Sequence, residues 1–254
     1  AIPKMRNCRP SVILRSMQYK LLLLTGGIGS RLGELTKNTN KALVPISGRA
    51  TVDYVLDQYP KEMPVVVNLG FLGESVKEYL DKNHTDRTFE YVWLDKYQGA
   101  GASIGYAILK SRENLQCPFL FQGCDTLVMT QIPPPDKNWI GGYFEDWSTS
   151  SMNTSQYDTV SVKDGRVVKF NKRGTPNFDS IYLGLDGVYD YGIYLETLEA
   201  LYNTDPTSEK HHPIEVYNKM LEKGIEFLPQ HFTTWLDTGS IQGLKNAENY
   251  LKNG

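Results

Sequence analysis

Leu21-Leu22-Leu23-Leu24-Thr25-Gly26-Gly27-Ile28-Gly29-Ser30-Arg31-Leu32 opens on four leucines and closes on a glycine-rich turn with an arginine. The apolar run that stops at glycines reads as a buried strand feeding a tight loop. Glycines let backbone N–H groups approach a ligand closely, and successive amides form a concavity suited to phosphate oxygens. Arg31 and, further on, Lys41 in Lys41-Ala42-Leu43-Val44-Pro45 add positive charge. Together they point to the polyphosphate of a nucleoside triphosphate.

Two familiar phosphate loops do not fit. A P-loop ends in Gly-Lys-Ser/Thr, whereas Arg31 follows the glycines here. The dinucleotide fingerprint needs a glycine three residues after Gly29, where Leu32 stands.

Bulk composition narrows the field. A chain of 254 residues can bury one good core and need not divide. Lys plus Arg number 27 against 29 acids, a balance that argues against nucleic acid and anionic membranes as main partners and makes any anion site local. Cys8, Cys117 and Cys124 have no metal-ligand spacing, and their odd count argues against a secreted disulfide framework. No apolar run reaches the ~20 residues that span a bilayer. A soluble protein of the reducing cytoplasm is the expectation.

Further along, apolar spacing predicts helices over 51–59 and 74–82 and strands over 64–70 and 89–94. This alternation implies a largely parallel sheet with helices on both faces. Gln98-Gly99-Ala100-Gly101-Ala102-Ser103 then opens a helix over 104–109, and Pro118 to Val128 is an apolar strand ending in Asp125. Pro133-Pro134-Pro135 reads as a stiff connector before a strand over 139–144. Residues 159–170 read as a hairpin turning at Asp164-Gly165. Tyr182 to Tyr189 is a further strand, and Pro213 to Lys223 a helix stopped by Gly224. His211 and His212 lack zinc-site spacing and read as loop residues. Asp237, within Trp235-Leu236-Asp237-Thr238-Gly239-Ser240, precedes a last helix. Taken singly, Asp125 and Asp237 read as turn or helix caps.

Gly27-Ile28-Gly29-Ser30-Arg31-Leu32 with Lys41-x-Leu43-x-Pro45 resembles the opening of the sugar-phosphate nucleotidyltransferases, and the likeness runs from Met17 to Leu251. It implies a Rossmann-like, three-layer α/β/α nucleotidyltransferase fold (GT-A-like) with a mixed, mostly parallel sheet. It also implies one domain over 17–254, preceded by an extension over 1–16 that carries Lys4, Arg6, Arg9 and Arg15. Asn40 stands where the family usually has proline, a change expected to loosen the loop.

By that resemblance, Arg31 and Lys41 are catalytic, while Thr25, Gly26, Gly27, Gly29, Ser30, Gln98, Gly99, Gly101 and Ser103 hold the nucleotide. Asp125 and Asp237 match magnesium ligands, although Cys124 interrupts the family's Gly-Asp. Lys172, Gly187 and Tyr189 match acceptor contacts, although Asn171 and Arg173 replace the family's neighbours of that lysine. The implied reaction moves a nucleoside monophosphate from a triphosphate, CTP or another pyrimidine nucleotide, to a small phosphorylated acceptor, releasing pyrophosphate. The acceptor is a sugar 1-phosphate, phosphocholine-like ester or phosphonate. A metal-dependent glycosyltransferase and a non-catalytic nucleotide sensor remain alternatives. Base, acceptor and oligomeric state, a homodimer being one option, are not written in the sequence.

Overall fold

The computed structural model describes residues 19–145, 147, 152–208 and 211–253. The extension expected over 1–16 lies outside the described residues. The chain runs β1 (Lys20–Leu24), β2 (Pro45–Ile46), β3 (Arg49–Ala50), α1 (Thr51–Leu56), β4 (Val65–Leu69), α2 (Gly73–Asn83), β5 (Phe89–Trp93) and α3 (Ile104–Lys110). It continues through β6 (Phe119–Gly123), β7 (Thr126–Val128), β8 (Trp139–Tyr143), β9 (Thr159–Lys163), β10 (Arg166–Asn171) and β11 (Ser180–Val188). Last come α4 (Tyr191–Thr204), α5 (Pro213–Glu222), β12 (Leu228–Phe232), β13 (Trp235–Asp237) and α6 (Ile241–Asn253).

The leucine run forms the middle of the main sheet, whose order is β10-β9-β11-β6-β1-β4-β5, with β8 on β11 and β12 on β8. Strands β6, β1, β4 and β5 are parallel. Beyond β6 the sheet turns antiparallel, because β11 runs against β6, β8 and β9. Side chains alternate across β1 as strand geometry requires. Leu21 and Leu23 pack with Val52, Val55, Val76, Leu80 and Ala247, from α1, α2 and α6. Leu22 faces the other way, toward Ile108, Tyr194, Leu198, Tyr217 and Met220 of α3, α4 and α5. All three are fully buried, each contributing about 2 kcal/mol of apolar transfer. Helices therefore cover both faces, giving the three layers.

The hairpin β9–β10 turns at Asp164 (φ 51°) and Gly165 (φ 73°), two left-handed residues that suit the twist of antiparallel strands. A small separate sheet pairs β13 with β7 and lies beside the end of β6. Among the described residues, no helix is long and apolar enough to cross a membrane.

Candidate active site

The glycine loop is built by close backbone approach. Thr25, fully buried, donates its hydroxyl to the Asn68 carbonyl at 2.5 Å and so ties β1 to β4. Gly29 adopts φ 71°, and a side-chain carbon there would press on Lys41 Cβ at 3.0 Å. Glycine at this turn lets the loop lie directly against the lysine.

Asn40 corrects the expectation of a loosened loop. Its buried amide donates to the carbonyls of Thr25 (2.9 Å) and Phe71 (2.6 Å). Its Oδ1 accepts from the Ala42 N–H at 2.8 Å, capping the short turn Lys41–Leu43. Three backbone groups from separate segments converge on one side chain, a tie that proline could not supply.

Lys41 Nζ lies 3.1 Å from Asp125 Oδ2. Arg31 spans the two acids, with Nη2 3.9 Å from Asp125 Oδ2 and Nη1 3.8 Å from Asp237 Oδ2. The aspartates meet because β13 pairs with β7, setting Asp237 opposite Thr126, and the Thr238 N–H donates to the Asp125 carbonyl. Burial alone would lower the Lys41 ammonium and raise the Asp125 carboxyl. Their mutual attraction outweighs it, leaving Lys41 raised and Asp125 lowered, so both are charged at neutral pH. Burial pushes the neighbouring Cys124 thiol up to about 11, which leaves it protonated and unsuited to nucleophilic attack.

Gly239 keeps space between the carboxylates. A side-chain carbon there would sit 2.9 Å from Asp125 Oδ2, 3.1 Å from Asp237 Oδ1 and 2.5 Å from Arg31 Nη2. Two oxygen donors around such a gap fit a hard divalent cation whose other ligands are phosphate oxygens and water. Among the described residues, no group of three or more His, Cys, Asp or Glu offers a site complete in itself. Asp237 is held by the Gly239 N–H on Oδ1 and by the Tyr157 hydroxyl on Oδ2, each at 2.9 Å.

A cavity of about 450 Å³ opens beside this cluster. Gly26, Gly27, Lys41, Asp125 and Ser103 line it, as expected of site residues. Ser103 also caps α3, accepting from the Tyr106 N–H at 3.0 Å. Thr25, Gly29 and Ser30 are not part of the lining. Gln98, Gly99 and Gly101 do not reach it, and the Gly101 N–H is spent on the Thr207 carbonyl. Lys96, Tyr97, Ala102 and Ile104 supply that wall instead. Arg31 and Asp237 also lie outside the lining, joined to it through Asp125.

The residues expected on the acceptor side, Lys172, Gly187 and Tyr189, lie outside the cavity lining. Because β11 is antiparallel to β6, Val188 pairs with Phe119 while Leu185 pairs with Gln122. Gly187 and Tyr189 therefore lie toward the amino end of β6, opposite Asp125. Gly187 packs under the Trp139 ring, and Tyr189 donates its N–H to Asn138 Oδ1 at 2.9 Å. It is the start of β11, Tyr182-Leu183-Gly184, that reaches the cavity. Lys172 is 76% exposed and pairs with Glu215 at 3.0 Å, whereas its neighbour Arg173 lines the cavity.

His211 and His212, read from the sequence as loop residues, also form part of the wall. No spacing signal marks them. They arrive because described residues near them are tied to the start of α3 and the turn before it, with the Gly105 N–H donating to the His211 carbonyl at 2.9 Å and the Gly101 N–H to the Thr207 carbonyl at 2.7 Å.

No protein-family model matches the chain. The "Probable glucose-1-phosphate cytidylyltransferase" of Bacillus subtilis (strain 168) is 30% identical over 205 residues, covering 69% of this chain and 74% of the relative. The D-glycero-alpha-D-manno-heptose 1-phosphate guanylyltransferase of Aneurinibacillus thermoaerophilus is 22% identical over 237 residues, covering 91% and 95%. The fold matches the CTP:phosphocholine cytidylyltransferase of Streptococcus pneumoniae with a TM-score of 0.71 at 16% identity, covering 92% of this chain and 100% of that one.

Proposed function

Because this chain belongs to the sugar-phosphate nucleotidyltransferases, we propose that it transfers a nucleoside monophosphate from CTP, or another pyrimidine triphosphate, to a small phosphorylated acceptor. The observation that carries this reading is the placement of Lys41 and Arg31 against Asp125 and Asp237 beside the glycine loop. A site of this kind must bring two anions together. It needs no activated side-chain nucleophile, because a phosphate ester is anionic at neutral pH.

An acceptor phosphate oxygen attacks the α-phosphorus and forms the new phosphoanhydride. The α–β bond breaks on the opposite side, and its electron pair leaves with pyrophosphate. Arg31 and Lys41 stabilise the charge that grows on the departing group. Gly26 and Gly27 bring backbone N–H groups to the cavity wall, suited to the polyphosphate. Asp125 and Asp237 would hold magnesium in this reading, and the ion would supply positive charge near the phosphate oxygens. Arg173 takes the acceptor-side role expected of Lys172, since it reaches the cavity.

The pyrimidine preference is supported by Ser30 in the loop and by the cytidylyltransferase names among the relatives. A pocket that pairs with one base edge penalises other bases by leaving buried polar groups unpaired. The two described cysteines, Cys117 and Cys124, are unpaired, which suits the reducing cytoplasm we assign to the reaction.

The test crosses four nucleoside triphosphates with sugar 1-phosphates, phosphocholine and small phosphonates and measures pyrophosphate. Release with one or two pyrimidine triphosphates is expected. ATP or GTP as sole donor would overturn the base assignment, and no release from any pair would overturn the reaction.

A further inference from the structure

His212 stands immediately before α5 and lines the cavity, yet its Nδ1 has no hydrogen-bond partner among the described residues. Nδ1 is buried, and Asp158 Oδ2 at 4.0 Å is beyond hydrogen-bonding distance. The Tyr182 ring stands edge-on at 6.4 Å. Leaving a buried polar atom unpaired is costly, and folded proteins rarely do so without a use for it. No structural task of the loop explains it, because His211 performs those tasks. His211 Nε2 bonds the Asp205 carbonyl at 2.7 Å, and the His211 carbonyl accepts from Gly105.

The surroundings restrict what this ring can recognise. Burial pulls the imidazole down, Asp158 and Glu215 oppose it, and Arg173 adds to the burial, so the ring is neutral at neutral pH. With Nδ1 enclosed, the neutral ring is left with Nε2 to meet a ligand, as donor or acceptor according to tautomer, a match for a hydroxyl group. The same wall carries Arg173, and the Asp158 carboxylate is already engaged by the Arg173 N–H at 3.2 Å and Nε at 3.9 Å. The Arg173 guanidinium repels a quaternary ammonium, and a neutral imidazole supplies no negative charge to offset it.

Resting on the reaction proposed above, we propose that His212 is a specificity-determining residue. It hydrogen-bonds the hydroxyls of an acceptor that is a phosphate ester of a polyhydroxylated body, and it selects that acceptor over a choline-type ester. The position argues for the acceptor over the nucleotide base. His212 neighbours Tyr182 and Arg173 on the β11 side, whereas Lys96, Tyr97 and Ala102 form the wall after β5.

The test compares wild type, His212→Phe, which keeps a ring without hydrogen bonds, and His212→Asn, which restores donor and acceptor. Steady-state pyrophosphate release is measured with the best triphosphate, varying glucose 1-phosphate and phosphocholine separately. Wild type should prefer the sugar phosphate. The Phe variant should raise its acceptor KM about tenfold, the scale of one or two lost neutral hydrogen bonds. The triphosphate KM should stay within about twofold, and Asn should recover part of the loss. Unchanged acceptor selectivity in both variants, or a defect confined to the triphosphate KM, would overturn the assignment. A wild type that prefers phosphocholine overturns it while the reaction stands. No pyrophosphate from wild type with any acceptor overturns the reaction itself and this inference with it. If the Phe variant melts early, His212→Leu takes its place as the variant without hydrogen bonds, and the same outcomes are read from it and from Asn.

Discussion

Tyr157 donates its hydroxyl to Asp237 Oδ2 at 2.9 Å while its ring stands edge-on to Trp235 at 5.1 Å. The second carboxylate of the site is thus aimed by a residue from the loop before β9, outside every motif that marks the site in the sequence. Hydrogen bonds to a metal-binding carboxylate fix its orientation, and their loss typically costs 10–100-fold in metal affinity. Tyr157→Phe should therefore raise the magnesium concentration for half-maximal activity by about tenfold or more. Its melting temperature should change little, because the ring contact with Trp235 persists. An unaltered magnesium dependence would reduce Tyr157 to a packing residue.

Asp125→Asn and Asp237→Asn each remove one of the two oxygen charges around the gap at Gly239. Each variant should lose most turnover, about 100-fold or more, with the fold retained. Circular dichroism checks the fold and pyrophosphate release the activity. Near wild-type turnover at saturating magnesium would return that residue to the role of a turn cap. Chelation of divalent cations should likewise stop the wild type, and magnesium should restore it.

Arg31→Ala and Lys41→Ala should act chiefly on kcat, with losses of about 100-fold or more, since their charges matter most as pyrophosphate departs. Lys41 is the deeper of the two and pairs with Asp125 at 3.1 Å, so its loss also leaves that carboxylate with only Arg31 at 3.9 Å. A variant with normal kcat and only a raised triphosphate KM would be a capture residue.

The parts of this site that were legible in the sequence are those set by local chemistry. The leucine run, its glycine stop, Arg31 and Lys41 sit within one loop, so their proximity follows from chain continuity. Asp164-Gly165 announces its turn in the same way. Position across strands was harder to read. Gly-x-Tyr at 187–189 matched the family pattern, but strand direction decides which end of β11 meets Asp125, and the antiparallel pairing with β6 selects Tyr182 to Gly184. At the end of β10 Asn171 turns inward to bond Ser161 and Lys172 turns out to Glu215, so the residue that lines the cavity is Arg173, a difference of one position that side-chain direction decides. Helix α4 and strand β12 were not foreseen. Pro229 within β12 argues against a strand, and it is tolerated because β12 pairs only with β8.

Asn40→Ala should cost about 3 kcal/mol of stability, since it strips partners from the Thr25 and Phe71 carbonyls and the Ala42 N–H at once. Urea unfolding at neutral pH measures the loss. A cost under about 0.5 kcal/mol, the range of ordinary surface changes, would mean that water replaces all three bonds without penalty.

Asp186 predicts a pH dependence of stability. It is fully buried on β11, and its Oδ2 accepts from the Tyr182 hydroxyl at 2.5 Å and the Tyr217 hydroxyl at 2.8 Å, while Oδ1 has no hydrogen-bond partner within 3.5 Å among the described residues. Burial pushes the carboxyl up to about 7, against the lowering effect of the two tyrosines and the Gly141 backbone N–H. The unfolded chain would release that proton near pH 4. Between about pH 4 and 7 the folded protein therefore binds a proton that the unfolded chain lacks, and stability falls as pH rises. The contribution is whole below about pH 4 and gone above about pH 7, with an upper bound of about 4 kcal/mol for a carboxyl displaced this far. Asp125 has the opposite sense, being lowered, and would add stability as pH rises from the acid side. Asp186→Asn separates the two, because the Asp125 effect is common to wild type and variant and cancels in their difference. The stability of wild type minus that of Asp186→Asn, from urea unfolding at several pH values, should decline across pH 4 to 7 and level off above it. A difference that stays flat across this range would show that Asp186 is already ionised in the folded protein at pH 5, with its tyrosine partners sufficient to hold the charge.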